Sequence, residues 1–113
     1  MSGMEMMLAE VTARVRRKKH LQPMTRGWER RIGIVVEEQM TKWQLVFSRG
    51  ETSYALWTDD SDADLVLRGE EHVMKQLFAG NELVYSAAKQ KLRVDGTLRD
   101  QLKLDAILRL VCN

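Results

Sequence analysis

Residues 31–57 read RIGIVVEEQMTKWQLVFSRGETSYALW and contain three short segments in which apolar residues occupy every second position. The connections between the segments, residues 38–40 and 49–51, are short. Such alternation is typical of a half-buried strand, and connections of this length join neighbouring antiparallel strands. The alternating positions are Ile32, Ile34 and Val36, then Trp43, Leu45 and Phe47, then Tyr54 and Leu56. The segment therefore predicts a three-stranded antiparallel meander.

Helical patterns flank this meander on both sides. Apolar residues recur at helical spacing over residues 4–19, which predicts an amphipathic helix that Gln22-Pro23 ends. Downstream, the pattern predicts a strand over 63–67, a helix from Glu70 to Gly80, a short helix over 82–89, a strand over 91–95 and a last helix over 98–111. The apolar residues of the last helix spread around the helical wheel, so its orientation is not determined.

The element order predicts an α+β protein with a five-stranded, mostly antiparallel sheet covered on one face by helices. A length of 113 residues fits a single globular domain, with 1–24 as an N-terminal amphipathic helix and connector and 25–113 as the main body. No apolar run is long enough to cross a membrane, and the N-terminus lacks a signal-peptide pattern. The single cysteine, Cys112, fits a reducing compartment. We therefore expect a cytoplasmic protein.

Charge is unevenly distributed along the chain. Residues 1–31 hold eight Lys or Arg against three acids, whereas the remainder holds ten against thirteen. The excess is concentrated at the end of the first helix, in Arg14, Arg16, Arg17, Lys18 and Lys19. These charges favour contact with an anionic membrane surface, although a merely solvated helix end fits them as well. Since no aromatic platform or recognition motif accompanies them, we expect no nucleic-acid partner.

The sequence contains no pattern that indicates catalysis. Its two histidines, His20 and His72, and its one cysteine are remote from one another in the sequence and make no zinc motif, and neither histidine has a recognisable partner spacing. No phosphate-binding or dinucleotide-binding glycine loop occurs. Four acids between Asp60 and Glu71 have the spacing of a calcium loop, but Leu65 occupies the position that requires glycine. We therefore expect no enzymatic activity, no catalytic residues, no metal and no cofactor.

Two segments in the second half of the chain form a recognisable combination. Asp64-Leu65-Val66-Leu67-Arg68-Gly69-Glu70-Glu71 leads into a helix that ends in glycine, and Lys91-Leu92-Arg93-Val94-Asp95-Gly96 leads into the last helix. Together with the meander, this arrangement resembles the sterol carrier protein 2 (SCP2) sterol- and lipid-binding domain over about residues 25–111. The family often has Gly before the second segment and Asp or Asn after it, where this chain has Gln90 and Thr97.

The resemblance implies an apolar tunnel between sheet and helices that holds a fatty acid, acyl-CoA, sterol or phospholipid. It also implies a carrier or sensor role without catalysis. The inward residues that would then form the wall of a lipid-binding cavity are Trp43, Leu45, Phe47, Leu56, Leu77, Phe78, Leu83, Leu104 and Leu108. The same side chains would face inward if the core were filled, and the domain would then be a protein-interaction or dimerisation module, for example a homodimer. Spacing alone favours the filled core, and the resemblance favours the cavity.

Overall fold

The computed structural model of the chain describes residues 3–39, 41–57, 63–79, 89 and 91–112. Its elements are α1 Gly3–Arg17, a 3-10 turn Lys19–Leu21, α2 Gln22–Thr25, β1 Arg30–Val36, β2 Lys42–Ser48, β3 Glu51–Leu56, β4 Leu65–Gly69, α3 Glu71–Phe78, β5 Leu92–Asp95 and α4 Leu98–Cys112. The predicted α+β class and the five-stranded sheet are confirmed. The predicted short helix over 82–89, except for Lys89, and the predicted cap at Gly80 lie outside the described residues.

The strands lie in the order β3-β2-β1-β4-β5, and one of their pairings is parallel. β1 pairs with β2 in an antiparallel register that places Ile34 opposite Trp43, and with β4 in a parallel register that places Ile34 opposite Leu67. The pairs β2–β3 and β4–β5 are antiparallel, so the sheet is mostly antiparallel as predicted. β1 is the central strand, with the meander on one side of it and β4 and β5 on the other.

The inward face of the sheet and three helices share one hydrophobic core. Along β2, buried and half-buried residues alternate, because successive strand side chains point to opposite faces. The core includes Ile32, Ile34, Leu45, Leu65 and Leu67 of the sheet, Met4, Leu8, Val11 and Val15 of α1, Val73, Met74, Leu77 and Phe78 of α3, and Leu104, Ile107, Leu108 and Val111 of α4. None of the helices in the described ranges is long and apolar enough to cross a membrane.

The first helical segment differs from its prediction. α1 ends at Arg17, and Gln22-Pro23 begins α2 instead of terminating α1. Proline is well tolerated in the first turn of a helix, where its missing N–H has no intrahelical partner to lose. The 3-10 turn between the two helices carries Leu21 into the core, where it is 1% exposed.

Trp57 covers the centre of the opposite face of the sheet. Its ring lies over Gly33 in the middle of β1, where a Cβ atom would overlap the ring carbons. Trp57 is buried, and Lys42 Nζ lies 5.9 Å from the centroid of its ring, within the range of a cation–π interaction. Glycine at position 33 is therefore required by this close approach.

Candidate functional site

Seven of the nine residues predicted to line a cavity lie together in the core. Three of them form the inward face of β2, two lie on α3 and two on α4. Each is at most 6% exposed: Trp43, Leu45, Phe47, Leu77, Phe78, Leu104 and Leu108. Sheet and helices thus form one apolar layer, called the interior layer below.

The other two predicted residues are placed differently. Leu56 is the last residue of the edge strand β3 and is 56% exposed, so it belongs to the surface and not to the core. The end of an edge strand has a neighbouring strand on one side only, which leaves its last side chain open to solvent. Leu83 lies outside the described residues.

Trp43 brings a hydrogen-bond donor into the interior layer. Its indole Nε1 is buried, and no described residue accepts a hydrogen bond from it. The ring contacts Tyr54, with 6.3 Å between the two centroids. Buried indole N–H groups normally have a partner, so Trp43 offers a position for a hydrogen-bond acceptor.

A groove of about 730 Å³, called the α4 groove below, lies between α4 and the connection from α2 to β1. Its apolar lining comes from Met24, Trp28, Leu102 and Ala106. Four cationic side chains also line it: Arg26, Arg30, Arg99 and Lys103. The Trp28 ring lies on Phe47, with 5.0 Å between the centroids, so the groove adjoins the interior layer.

Asp100 is the acidic residue of the α4 groove, and it is buried. Its carboxylate accepts hydrogen bonds from Trp28 Nε1 at 3.1 Å and from Arg30 Nε at 3.1 Å. Burial raises the pKa of this carboxyl, but the hydrogen bonds from Trp28, Arg30 and Thr97 and the Arg30 charge outweigh burial. The pKa of Asp100 is therefore held below its ordinary value of 3.8, and its negative charge neutralises Arg30.

A second groove, of about 500 Å³, lies between α1 and α3. Its lining is mainly apolar, from Met6, Met7, Val11, Phe78 and Ala79, with Glu10, Arg14 and Lys75 as its charged residues. Phe78 belongs both to this groove and to the interior layer. This short helix α3 therefore separates the interior layer from a surface groove.

The five basic residues predicted to contact a membrane have different partners. Arg16 Nε donates to the Thr52 carbonyl at 3.2 Å, Arg17 Nε to the Ala13 carbonyl at 3.4 Å, and Lys18 Nζ to the Leu110 carbonyl at 2.8 Å. Arg14 pairs with Glu10, and Lys19 is exposed. The basic stretch thus contacts both β3 and α4, and Lys18 connects it to the C-terminal end of α4.

Residues 8–109, which include most of α1 and extend into α4, match the model of the SCP-2 sterol transfer family. The chain belongs to this family. The match confirms the resemblance carried by the two sequence segments, and it supports a general role in lipid binding or transfer. No curated protein is significantly similar to the chain in sequence.

Solved structures of SCP2 proteins share the fold. The chain matches the structure of a UbiJ-SCP2 ubiquinone synthesis protein with a TM-score of 0.72 and 19% identity, over 98% of this chain and 95% of that one. It matches sterol carrier protein-2 like-3 from Aedes aegypti with a TM-score of 0.72 and 12% identity, over 96% and 98%. It matches a sterol carrier protein 2 with a TM-score of 0.67 and 11% identity, over 94% and 90%. At these identities the likeness establishes the SCP2 fold alone.

The chain also matches one part of a larger protein. The inverting sec-alkylsulfatase Pisa1 from Pseudomonas sp. matches with a TM-score of 0.66 and 14% identity over 76% of this chain. The matched region is 14% of the sulfatase chain. This likeness too establishes the fold alone.

Gly96 and Thr97 explain how the second SCP2 segment leads into α4. Gly96 has a φ of 143°, and a Cβ atom there would overlap the Leu65 side chain, so the position requires glycine. Thr97 Oγ1 accepts a hydrogen bond from the Asp100 backbone N–H at 3.2 Å. Thr97 therefore caps α4 in place of the Asp or Asn that SCP2 proteins often have there.

The outer surface of α4 is a feature that sequence reasoning missed. Leu98, Leu102 and Leu110 are 61%, 50% and 42% exposed. The sequence signal that could have revealed this surface is the spread of apolar residues around the helical wheel. The inward residues Leu104 and Leu108 account for only one side of that wheel.

Two of the residues considered for metal binding have protein partners instead. Among the described residues, no three His, Cys, Asp or Glu side chains come together in a way that could hold a metal ion. Asp64, from the calcium-like spacing, accepts a hydrogen bond from the Arg31 backbone N–H at 2.9 Å beside the start of β4. His72 is exposed, and its Nδ1 lies 3.2 Å from the Glu70 carboxylate.

Proposed function

We propose that this member of the SCP-2 family is a non-catalytic, cytoplasmic lipid-binding protein. It holds one fatty acid, acyl-CoA, sterol or similar apolar ligand between the sheet and the helices, for carriage or sensing. The observation that carries the proposal is the interior layer, inside which Trp43 Nε1 has no hydrogen-bond acceptor among the described residues. An apolar wall that contains a buried hydrogen-bond donor suits an amphiphile that has a polar end.

The free energies of an empty cavity and of acyl-chain burial explain why the interior layer would be closed without ligand and open with ligand. An empty apolar cavity of ~300 Å³ would cost roughly 7 kcal/mol, which rivals the stability of a whole domain. The ligand-free side chains therefore close on one another. Burial of about fifteen methylene groups contributes roughly 12 kcal/mol before costs, and binding costs remove about half of this. Affinity in the micromolar range follows without further polar contacts.

The ligand enters by displacing α3. This helix has only eight residues, and its core residues Leu77 and Phe78 lie between the interior layer and the groove beside α1. Displacing it would join that groove to the interior layer. The core side chains of α3 that this movement uncovers repack against the bound acyl chain, which offsets the cost of displacing them.

The test combines native mass spectrometry with tryptophan emission, using palmitate as the probe. The wild type takes up one palmitate, and its emission changes in a saturable way at low micromolar ligand. Trp57→Phe, on the opposite face of the sheet, keeps the emission change. Trp43→Phe loses most of it and binds palmitate about 2- to 10-fold more weakly, because one hydrogen bond is lost.

Two results would count against the proposal. One is a wild-type chain that stays bare in native mass spectra after purification and after palmitate is added. The other is uptake that Leu108→Phe, which narrows the interior layer, leaves unchanged. In the first case the filled-core alternative, a protein-interaction or dimerisation module of the same fold, replaces it; in the second, palmitate binds outside the interior layer. Leu110→Phe on the outer side of the same helix is the matched control.

A further inference from the structure

The outer surface of α4 combines exposed leucines with basic side chains. At 3.6 residues per turn, its outward residues fall within one arc of about 140°. In order around that arc they are Leu98, Arg109, Leu102, Ala106, Arg99, Leu110 and Lys103. Three of the seven are leucines with 42–61% of their surface exposed. A contiguous surface of this kind marks an interaction site more often than scattered exposed residues do.

No acidic side chain is exposed on this helix. Asp100 is buried against Trp28 and Arg30, and Asp105 is 9% exposed and lies 3.9 Å from Arg109. Arg99 and Lys103 make no ion pair with any described residue. Both acids of the helix therefore neutralise other arginines and leave the charges of Arg99 and Lys103 to solvent.

We propose that this outer face of α4 docks on an anionic lipid bilayer. The leucines enter the boundary between headgroups and acyl chains, while the Arg99 and Lys103 side chains extend to the lipid phosphates. Arg26, across the α4 groove, adds a third cation, and Lys18 places the basic end of α1 beside the last turn of the helix. The α4 groove opens toward the same bilayer.

Charge complementarity favours a bilayer over a second copy of the chain. A two-fold contact through this face would bring Arg99 and Lys103 of both copies together, with no exposed acid on either helix. An anionic bilayer instead supplies phosphates to every one of these cations. This docking goes beyond the proposed ligand binding and does not depend on it.

The experiment is cosedimentation of the full chain with phosphatidylcholine vesicles that contain or lack phosphatidylserine. The wild type binds the anionic vesicles, and binding weakens as salt is raised. Arg99→Gln/Lys103→Gln weakens binding on the order of 30-fold, at about fivefold per cation. Leu98→Gln/Leu102→Gln weakens it at least tenfold. Palmitate uptake, measured in parallel, stays unchanged in both variants, so that the failure of docking and the failure of ligand binding are distinguishable.

Matched controls use exposed residues elsewhere on the surface. Met6→Gln removes an apolar side chain that is 59% exposed on α1, and Arg93→Gln removes an exposed cation on β5; both bind vesicles as the wild type does. Equal binding of the wild type and the α4 variants would overturn the proposal. So would binding lost only in Arg14→Gln/Lys19→Gln, which would assign docking to the end of α1. A concentration-dependent dimer in sedimentation velocity that Leu102→Gln abolishes would assign the face to a second copy.

Discussion

Asp100 joins the first turn of α4 to the start of β1. Its carboxylate accepts hydrogen bonds from Trp28 and Arg30, and its backbone N–H donates to Thr97. Trp28 and Arg30 lie 72 and 70 residues before Asp100, so the contact connects segments that are distant in the sequence. The same contact places Trp28 against Phe47 at the edge of the interior layer.

Asp100→Asn removes the charge and leaves Arg30 without its carboxylate. We expect a loss of about 1–3 kcal/mol in the free energy of unfolding at neutral pH. Because the pKa of Asp100 is lower in the folded state, its carboxylate stabilises the fold at pH values above the unfolded-state pKa of 3.8. This stabilisation is lost as the pH falls through the lower folded-state pKa. Urea unfolding across the acid range measures both effects. The cost of the variant should vanish at the acid end, whereas Asp95→Asn, at an exposed position, should cost little at any pH.

Gly33 and Trp57 form a contact that one methyl group would break. Gly33→Ala places a Cβ inside the Trp57 ring, so the ring must leave its buried position, at a cost of about 1–3 kcal/mol. In the Trp57→Ala background the clash no longer exists, and the same substitution should cost much less. Chemical unfolding of the four chains of this cycle measures the coupling. An equal cost of Gly33→Ala in both backgrounds would show that the backbone, and not the ring, requires glycine.

The two sides of α4 predict opposite mutational behaviour within one element. Leu104 is fully buried, so Leu104→Ala should lower the free energy of unfolding by about 2–5 kcal/mol. Leu102, two residues earlier, is 50% exposed, and Leu102→Ala should change stability by at most about 0.5 kcal/mol. Thermal unfolding distinguishes them directly. Similar losses for both variants would mean that the outer face is covered in solution, for example by a second copy.

Local pattern predicted the elements better than it predicted their arrangement. The period-two segments became β1, β2 and β3, because alternation reports burial on one face. A strand shows the same alternation whether its neighbour is parallel or antiparallel. The parallel pairing of β4 with β1 was therefore not predictable from the sequence pattern. β4 covers Leu65–Gly69, two residues later than the predicted 63–67, because its register places Gly69 opposite Val36.

The candidate site shows the same limit of local pattern. The spacing of apolar residues and the resemblance to the SCP2 family together predicted seven residues of the interior layer, because inward positions follow from spacing. The α4 groove is held together by the contact of Asp100 with Trp28 and Arg30. These residues meet only after folding, so no local spacing in the sequence predicts their contact. Likewise, Leu102 and Leu104 are equally apolar, and only packing determines which of them faces the core.

At the scale of the whole molecule, the interior layer proposed to hold the ligand and the α4 groove on the proposed docking face are two separate regions. They adjoin through the contact of Trp28 with Phe47. Their chemistry differs, because the interior layer is mainly apolar and the α4 groove is lined with four cationic side chains. The dependence of ligand binding on acyl-chain length and on the charge of the groove residues therefore distinguishes the two regions.

Ligand binding should stabilise the whole fold in proportion to the length of the acyl chain. A ligand at about 100-fold above its Kd adds about 2.7 kcal/mol, which corresponds to a rise of roughly 10 °C in Tm for a domain of this size. Each methylene buried in the interior layer contributes up to about 0.8 kcal/mol, so palmitate should raise Tm far more than octanoate. Leu108→Phe should reduce the rise, and Arg99→Gln/Lys103→Gln should leave it intact. If the charge variant alone removes the rise, the ligand occupies the α4 groove; if no fatty acid raises Tm, the interior layer is a filled core that binds none.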